Sequence, residues 1–452
     1  MTETPKSLRV HIGIFGRANA GKSSLLNLIA GQSLAIVSEI AGTTTDVVRK
    51  SMELLPIGPV TFLDTAGIDD SSLLGEQRTA KTREALDSAD IALIVTENGQ
   101  WGAYERELAA AAKSRSTPVI PVVAKIDVHA PDPAWLAELR SECAATCGPD
   151  LAAGSIAVSC TLAAADKALR EQFLNTLTAA LLTVCPESIL APPTLLGDLV
   201  DRNKTRQGPP MAVLVVPVDS GAPKGRLILP QVQSIRDSLD SGIACCVVRE
   251  CEYEGFLSTL TRAPDLVVCD SQVARFTAER TPRESALTTF SILFSRAKGD
   301  IVSMAAGAAR IASLREGERV LIAEACTHHA MEDDIGTVKI PRWLRQAVGG
   351  GVAIDHARGK DYPKNLADYS LVIHCGACTL TRREMLSRIQ KAKEANVPVT
   401  NYGIAISALQ GVAERMLAPF PEALSAWIAA TGAASDTAAG ITSDAAAVRE
   451  KA

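Results

Sequence analysis

Eight residues, GRANAGKS, restrict the fold of this chain more than any other feature in it. They run from Gly16 to Ser23, between an apolar run, VHIGIF, and an amphipathic one, SSLLNLIAG. The spacing G-x-x-x-x-G-K-S between a strand and a helix is that of a phosphate-binding loop, a P-loop. Its glycines let backbone N–H groups wrap an anion at a helix N-terminus, where the peptide dipoles favour negative charge. Lys22 is placed to reach the β- and γ-phosphates of a nucleotide, and the Ser23 hydroxyl to bind Mg²⁺. Gly16, Asn19, Ala20, Gly21, Lys22, Ser23 and Ser24 are the first expected nucleotide contacts. Such a loop needs a parallel sheet behind it, and so an α/β domain.

At 452 residues the chain is long enough for about three domains. Strand-like and helix-like runs alternate along nearly all of it, which predicts a multidomain α/β protein. A P-loop domain with a mostly parallel sheet is expected over residues 1–185. The Pro-rich connector CPESILAPPT closes it, and a small α/β middle domain follows over 195–275, with strands in MAVLVVPVD, GIACCVVRE and DLVVCD. A third α/β domain is expected over 282–428, with VLIAEA, GVAIDHA, SLVIHC and PVTNYGIAI as strands. Residues 429–452, rich in Ala, Gly, Ser and Thr, have little to bury and are expected to be a disordered tail. The net charge is −5 with no dense Lys/Arg run, so no nucleic-acid or anionic-membrane partner is expected. No uninterrupted apolar stretch reaches the roughly 18 residues of a membrane span. The N-terminus lacks the apolar core of a signal peptide, and a cytoplasmic location is expected.

Further motifs follow the P-loop in order. AGTTTDV, in a polar loop, offers Thr43, Thr44 and Thr45 to the nucleotide and its metal, with Thr45 grouped with Ser23 and Asp64 around Mg²⁺. VTFLDTAGIDD ends an apolar run in Asp64, placed to hold Mg²⁺ through water, and Gly67, whose amide can sense the γ-phosphate. VIPVVAKIDV supplies Lys125 and Asp127, and an Asp here accepts from guanine N1 and N2, which adenine cannot offer. SIAVSCT places Ser159 and the backbone of Cys160 at the base edge. This order and spacing resemble the G-protein superfamily over about residues 8 to 183, and the GRANAGKS and GTTTD forms look most like its TrmE–Era branch. GTP is the nucleotide the resemblance implies. It depends on Asp127, because Ala124 replaces the usual Asn or Thr and Cys160 the usual Ala. Ile68 stands where Ras-like enzymes place a water-orienting Gln, so slow hydrolysis is expected. Asn19 occupies the position that binds K⁺ in TrmE-like GTPases, so the resemblance implies K⁺ activation, with Lys22, Asn19 and Gly67 as the catalytic set. TrmE and Era relatives act in RNA modification and ribosome assembly, which is the alternative function.

The other end of the chain raises a different chemistry. Eleven cysteines without a secretory context are not a disulfide framework, and eight of them read as structural, most as small buried hydrophobes. Cys326, Cys375 and Cys378 differ, because His328, His329 and His374 accompany them in ACTHHA and IHCGACTL. Both stretches follow apolar runs, so in a parallel sheet both project from the carboxyl edge, where α/β folds gather ligands. A structural Zn²⁺ with three Cys and one His and a [4Fe–4S] cluster with three Cys are both open on ligand type alone. His374 and Cys375 are adjacent, so both can be ligands only if the strand has already turned.

A TrmE/Era-like GTPase domain, a small middle domain and a C-terminal C-x-H…H-C-x-x-C together resemble the HydF family of [FeFe]-hydrogenase maturation GTPases, over roughly residues 8 to 428. The resemblance implies a homodimer built through the middle domain. It implies a [4Fe–4S] cluster on Cys326, Cys375 and Cys378, with His328 or His374, and less readily His329, at a labile fourth position. It also implies a scaffold that takes a di-iron precursor from the radical-SAM maturases HydE and HydG and delivers it to apo-[FeFe]-hydrogenase. The chain carries no CxxxCxxC triad of its own.

Overall fold

β1 (Val10–Gly16) is buried at every residue, the mark of a strand covered on both faces. It lies in the middle of a six-stranded sheet with β2 (Val48–Leu54), β3 (Gly58–Asp64), β4 (Ile91–Thr96), β5 (Val119–Val123) and β6 (Ile156–Ala157). The order is β2-β3-β1-β4-β5-β6, and only β2 runs antiparallel to its neighbour. Helices Lys22–Ala30 and Lys167–Val184 contribute to one apolar cluster with β1, and helices Ala103–Ser114 and Pro133–Cys147 to another with β4 and β5. The register pairs Ile14 with Asp64 and Gly16 with Val95. The loop after β1 therefore emerges beside the carboxylate that ends β3, as the sequence predicts.

The computed structural model describes residues 5, 8–31, 48–64, 82, 84–97, 99–148, 151–152, 154–185, 194–201, 208–218, 225, 227–325, 334–348, 350–359, 362–363 and 365–432. The chain divides into two units, residues 1–192 and 193–452. The first is the expected P-loop domain with a mostly parallel sheet. Thr43, Thr44, Thr45, Gly67, Ile68, Cys326, His328 and His329 lie outside the described residues.

The second unit holds two four-stranded sheets. One is ordered β10-β9-β7-β8, from β7 (Met211–Val215), β8 (Ala244–Val248), β9 (Leu266–Cys269) and β10 (Ala286–Thr289). The other is ordered β12-β11-β13-β14, from β11 (Arg319–Glu324), β12 (Ala353–Arg358), β13 (Leu371–His374) and β14 (Val399–Asn401). Every pairing in both is parallel. The sequence reading closed the middle domain at residue 275, yet β10 pairs with β9 beyond that limit. The reason lies in packing. Helix Phe290–Lys298 contacts helix Leu229–Asp240 of the first half and helices Arg382–Glu394 and Tyr402–Leu409 of the second. One apolar cluster then runs from Val213 and Val268 through Leu293 and Phe294 to Met385 and Ile404.

Two further expectations are corrected. PVTNYGIAI is a strand only as far as Asn401, whose side chain accepts from the Ile404 N–H at 2.9 Å and caps the helix Tyr402–Leu409. A helix also occupies residues 421–432, four residues into the expected tail, and 433–452 lie outside the described residues. Its Ala423 and Leu424 join the core cluster, which the flanking Ala-rich composition obscured.

Candidate functional site

The P-loop shows its chemistry in the backbone. Gly16 and Gly21 have φ of +146° and +101°, which side chains disfavour. Asn19 has φ +59°, a left-handed conformation that Asn tolerates. A Cβ on Gly16 would run into the Val95 carbonyl oxygen of β4. Lys22 is buried, and its Nζ donates to the carbonyls of Gly16 at 2.9 Å and Arg17 at 2.6 Å, which holds the ammonium over the loop. Ser23 Oγ lies 3.4 Å from Asp64 Oδ2, so two of the three expected Mg²⁺ positions come together. Ala20 is buried under the loop, and Ser24 is exposed on the following helix.

The residues expected to read the base gather just beyond β5 and β6. Lys125 has φ +57°, and its Nζ donates to Glu97 Oε1 at 2.6 Å. Asp127 is exposed. Ser159 caps the helix Cys160–Ala165 by accepting from the Leu162 N–H at 3.1 Å. Burial pushes the Cys160 thiol up to about 11, and the Asp127 carboxylate adds to the shift, so these two residues are neighbours. A Cβ on Gly21 would stand 3.3 Å from the Ala124 methyl, so the residue that replaces the usual Asn or Thr lies close to the loop. One tie has no sequence signal: Arg17 is paired with the buried carboxylate of Glu105 through Nε at 2.8 Å and Nη2 at 2.9 Å. Glu105 also accepts from the Gly102 N–H at 2.9 Å, so one acid fixes both the P-loop and a helix start.

In the second unit the sulfur turn lies at the carboxyl edge of the β11–β13 sheet, as expected. The Cys375 N–H donates to the Ala323 carbonyl at 2.9 Å, and Cys375 Sγ accepts from the Ala325 N–H at 3.1 Å. Ala325 directly precedes Cys326 in the chain. Cys375 and Cys378 are half-buried, with Ala377 between them in a left-handed conformation at φ +51°. Thr381 then starts the helix Arg382–Glu394 with a reciprocal capping box to Glu384. Among the described residues, no three His, Cys, Asp or Glu side chains gather as a metal site.

Two buried cations stand near the thiols. Lys298 Nζ donates to the carbonyls of Ala377, Cys378 and Leu380, and Arg388 donates to His374 Nε2 at 3.0 Å and to the Gly359 carbonyl. Burial lowers the Lys298 ammonium to about 8, with Cys378 foremost among the groups that hold it up. Burial also lowers the Arg388 guanidinium, against the charges of Tyr362 and Cys375. Positive charge beside two thiols suits thiolate ligands and an anionic iron–sulfur or zinc group. Glu324, at the end of β11, is also buried, paired with Arg358 Nε at 3.0 Å and accepting from Tyr402 Oη at 3.3 Å. Sequence reasoning missed Lys298, Arg388 and Glu324, because nothing local separates them from ordinary charges at helix and strand ends.

His374 departs from the expectation. It is fully buried, its Nδ1 is 3.0 Å from the Cys375 carbonyl, and its Nε2 is 3.0 Å from Arg388. A carbonyl only accepts and a guanidinium only donates, so Nδ1 carries the proton and Nε2 is the acceptor. Both nitrogens are engaged within the fold, and His374 has none left for a metal. Burial, with Arg388 beside it, pushes its pKa down to about 3.

Comparison with known families fits this layout. Residues 195–299 match the hydrogen maturase F dimerization domain, and residues 302–419 match the hydrogen maturase F tetramerization domain. The chain belongs to the hydrogen maturase F family. Residues 11–125 match the 50S ribosome-binding GTPase family, which gives this hydrogen maturase F chain an N-terminal P-loop GTPase domain. Curated relatives resemble that domain alone. The tRNA modification GTPase MnmE of Nitrosomonas eutropha is 38% identical over 121 residues, 26% of this chain and 26% of that protein. MnmE of Natranaerobius thermophilus is 42% identical over 118 residues, 26% of this chain and 25% of that protein. GTPase Der of Wolinella succinogenes is 46% identical over 98 residues, 21% and 20% of the two chains. The chain thus spans about a quarter of the length of such relatives. Among solved structures, Era of Aquifex aeolicus bound to GDP.AlF4- has a TM-score of 0.30 at 19% identity, covering 53% of this chain and 93% of that one. A likeness at that score carries no functional weight.

Proposed function

We propose that this chain is a GTP-binding and GTP-hydrolysing scaffold of hydrogenase maturation. In this reading it holds a [4Fe–4S] cluster on Cys326, Cys375 and Cys378 and delivers a di-iron precursor to apo-[FeFe]-hydrogenase. The observation that carries the reading is one chain with both a phosphate-binding loop and a Cys-x-x-Cys turn at a sheet edge beside two buried cations. The two hydrogen maturase F matches support the same reading.

In the nucleotide site, Lys22 moves from the Gly16 and Arg17 carbonyls onto the phosphates, while Ser23 and Asp64, with Thr45, hold Mg²⁺. Asp127 selects guanine, with Lys125, Ser159 and Cys160 around the base. Asn19 binds K⁺, which supplies the positive charge that an arginine finger gives elsewhere, and the Gly67 amide reports the γ-phosphate. With Ile68 in place of a water-orienting Gln, hydrolysis is slow. In the second unit, the turn presents Cys375 and Cys378, and Cys326 follows the end of β11 in the sequence. His328, and less readily His329, are the remaining candidates for a labile fourth ligand, since both nitrogens of His374 are engaged. When bound, the cluster would supply an iron with an exchangeable coordination site for the di-iron precursor. The chain acts as a homodimer and exchanges cargo with HydE and HydG.

The test is anaerobic reconstitution with iron and sulfide, followed by reduction and electron paramagnetic resonance, on wild type and Cys375→Ala. A [4Fe–4S]⁺ signal that is lost in the variant is expected. Stoichiometric zinc without that signal would reduce the second unit to a structural zinc domain. GTP turnover measured in K⁺ and in Na⁺ tests the first unit, with faster turnover in K⁺ expected. The MnmE likeness favours a tRNA function for the shared GTPase domain only, and salt-dependent RNA binding by the full chain would revive that alternative.

A further inference from the structure

Lys298 ends the helix Phe290–Lys298, within the stretch matched by the dimerization-domain model, and the turn it grips lies in the stretch matched by the tetramerization-domain model. Its Nζ donates to the carbonyls of Ala377 at 3.0 Å, Cys378 at 3.1 Å and Leu380 at 2.9 Å. An ammonium has three N–H donors and a neutral amine two, so three carbonyl acceptors call for the charged form. The side chain is only 6% exposed, with the Phe294 ring 5.4 Å from Nζ. A buried cation is costly unless its donors are satisfied, and here the cysteine turn satisfies all of them. Ala377, whose carbonyl is gripped, holds a left-handed conformation worth about 1–2 kcal/mol of strain for a residue with a Cβ. The turn therefore keeps a disfavoured backbone shape while a cation from another part of the unit holds it closed.

We propose that Lys298 is a positioning residue for the cluster site, locking the Cys375–Leu380 turn in its ligating shape and placing a positive charge against the two thiolates. Through it the cluster loop depends on the last helix of the dimerization domain, so a shift in that helix is felt at the cysteines. The charge favours the more negative, reduced state of the group bound there. This inference rests on the cluster reading above for its redox part and on the hydrogen bonds alone for its structural part.

The experiment uses the full chain as wild type, Lys298→Met and Lys298→Arg. In the reconstituted protein, redox titration followed by the reduced-cluster signal should show Lys298→Met reduced less readily than wild type. A tenfold loss at a fixed potential corresponds to about 59 mV for one electron. Lys298→Arg keeps the charge but not the three-carbonyl grip, and should hold the wild-type potential. In the apo protein, Cys375 and Cys378 should be alkylated several-fold faster in both variants, as read by peptide mass spectrometry, while Cys269 stays protected. Equal potentials and equal alkylation rates for Lys298→Met and wild type overturn the proposal. So does a Lys298→Arg potential that falls as far as that of Lys298→Met. If Lys298→Met does not fold, Lys298→Arg decides: wild-type alkylation rates in that variant overturn the grip. If wild type itself binds no cluster, the cluster reading fails while the alkylation rates still judge the grip.

Discussion

At position 16 the chain has no room for a side chain. Gly16 combines φ +146° with a Cβ direction that points into the Val95 carbonyl, so Gly16→Ala is strained both in its own backbone and against β4. Loss of about 1–3 kcal/mol from the strain and loss of binding of a fluorescent GTP analogue are expected, read by thermal melting and titration. Glu105 makes a second residue-scale case. Removing it as Glu105→Ala leaves Arg17 and the Gly102 N–H without their shared acceptor. Arg17 is half-exposed, so water absorbs part of the effect, and a loss of about 1–2 kcal/mol is expected in chemical unfolding. If GTP affinity falls as well, the pair also orders the P-loop. The thiols differ from one another by burial. Cys251 is exposed and should react with iodoacetamide in the native protein, whereas Cys143, Cys147 and Cys269 should react only after unfolding. Burial pushes the Cys269 thiol up to about 12, which further suppresses its thiolate.

Among the elements, the helix Arg382–Glu394 fixes the far side of the cysteine turn. Its capping box joins the Thr381 side chain to the Glu384 N–H at 3.1 Å and the Glu384 carboxylate to the Thr381 N–H at 2.9 Å. Thr381→Ala should cost about 1 kcal/mol and increase hydrogen exchange over residues 381–385 before the rest of the helix. An unchanged exchange rate there would show that packing, not the cap, sets this helix start. The capping signal T-x-x-E is plain in TRRE, and so is the period-3.6 pattern behind it. β10 was less legible. ALTT is short and carries little apolar weight, and it becomes a strand because β9 supplies a parallel neighbour. YGIAI has strand-like composition and forms a helix because the Asn401 side chain caps it, so a local hydrogen bond outweighs β propensity.

Over the whole molecule, each apolar core falls within one of the two units: Ile12, Phe62 and Val122 belong to residues 1–192, and Val213, Leu293 and Ile404 to residues 193–452. Two unfolding transitions are therefore expected in calorimetry. A non-hydrolysable GTP analogue with Mg²⁺ should raise only one, by about 2.7 kcal/mol at a hundred times its dissociation constant. A single transition that shifts as one would mean that the units unfold together.

The sequence by itself determined the P-loop and the class of the fold, because a P-loop is a local object. Its glycines, lysine and serine are neighbours in the chain, and Asp64 and Asp127 follow at the ends of strands whose apolar runs are unmistakable. It also marked the cysteine turn and the apolar runs that become β11 and β13. Tertiary structure alone decided which residues surround that turn. Lys298 reaches it across 79 residues of sequence and Arg388 reaches His374 across 14, and neither carries a local mark of burial. The reversal at His374 has the same origin. Its sequence context reads as a ligand, but a ring nitrogen is available to a metal only if no buried neighbour has claimed it, and here Arg388 and the Cys375 carbonyl claim both.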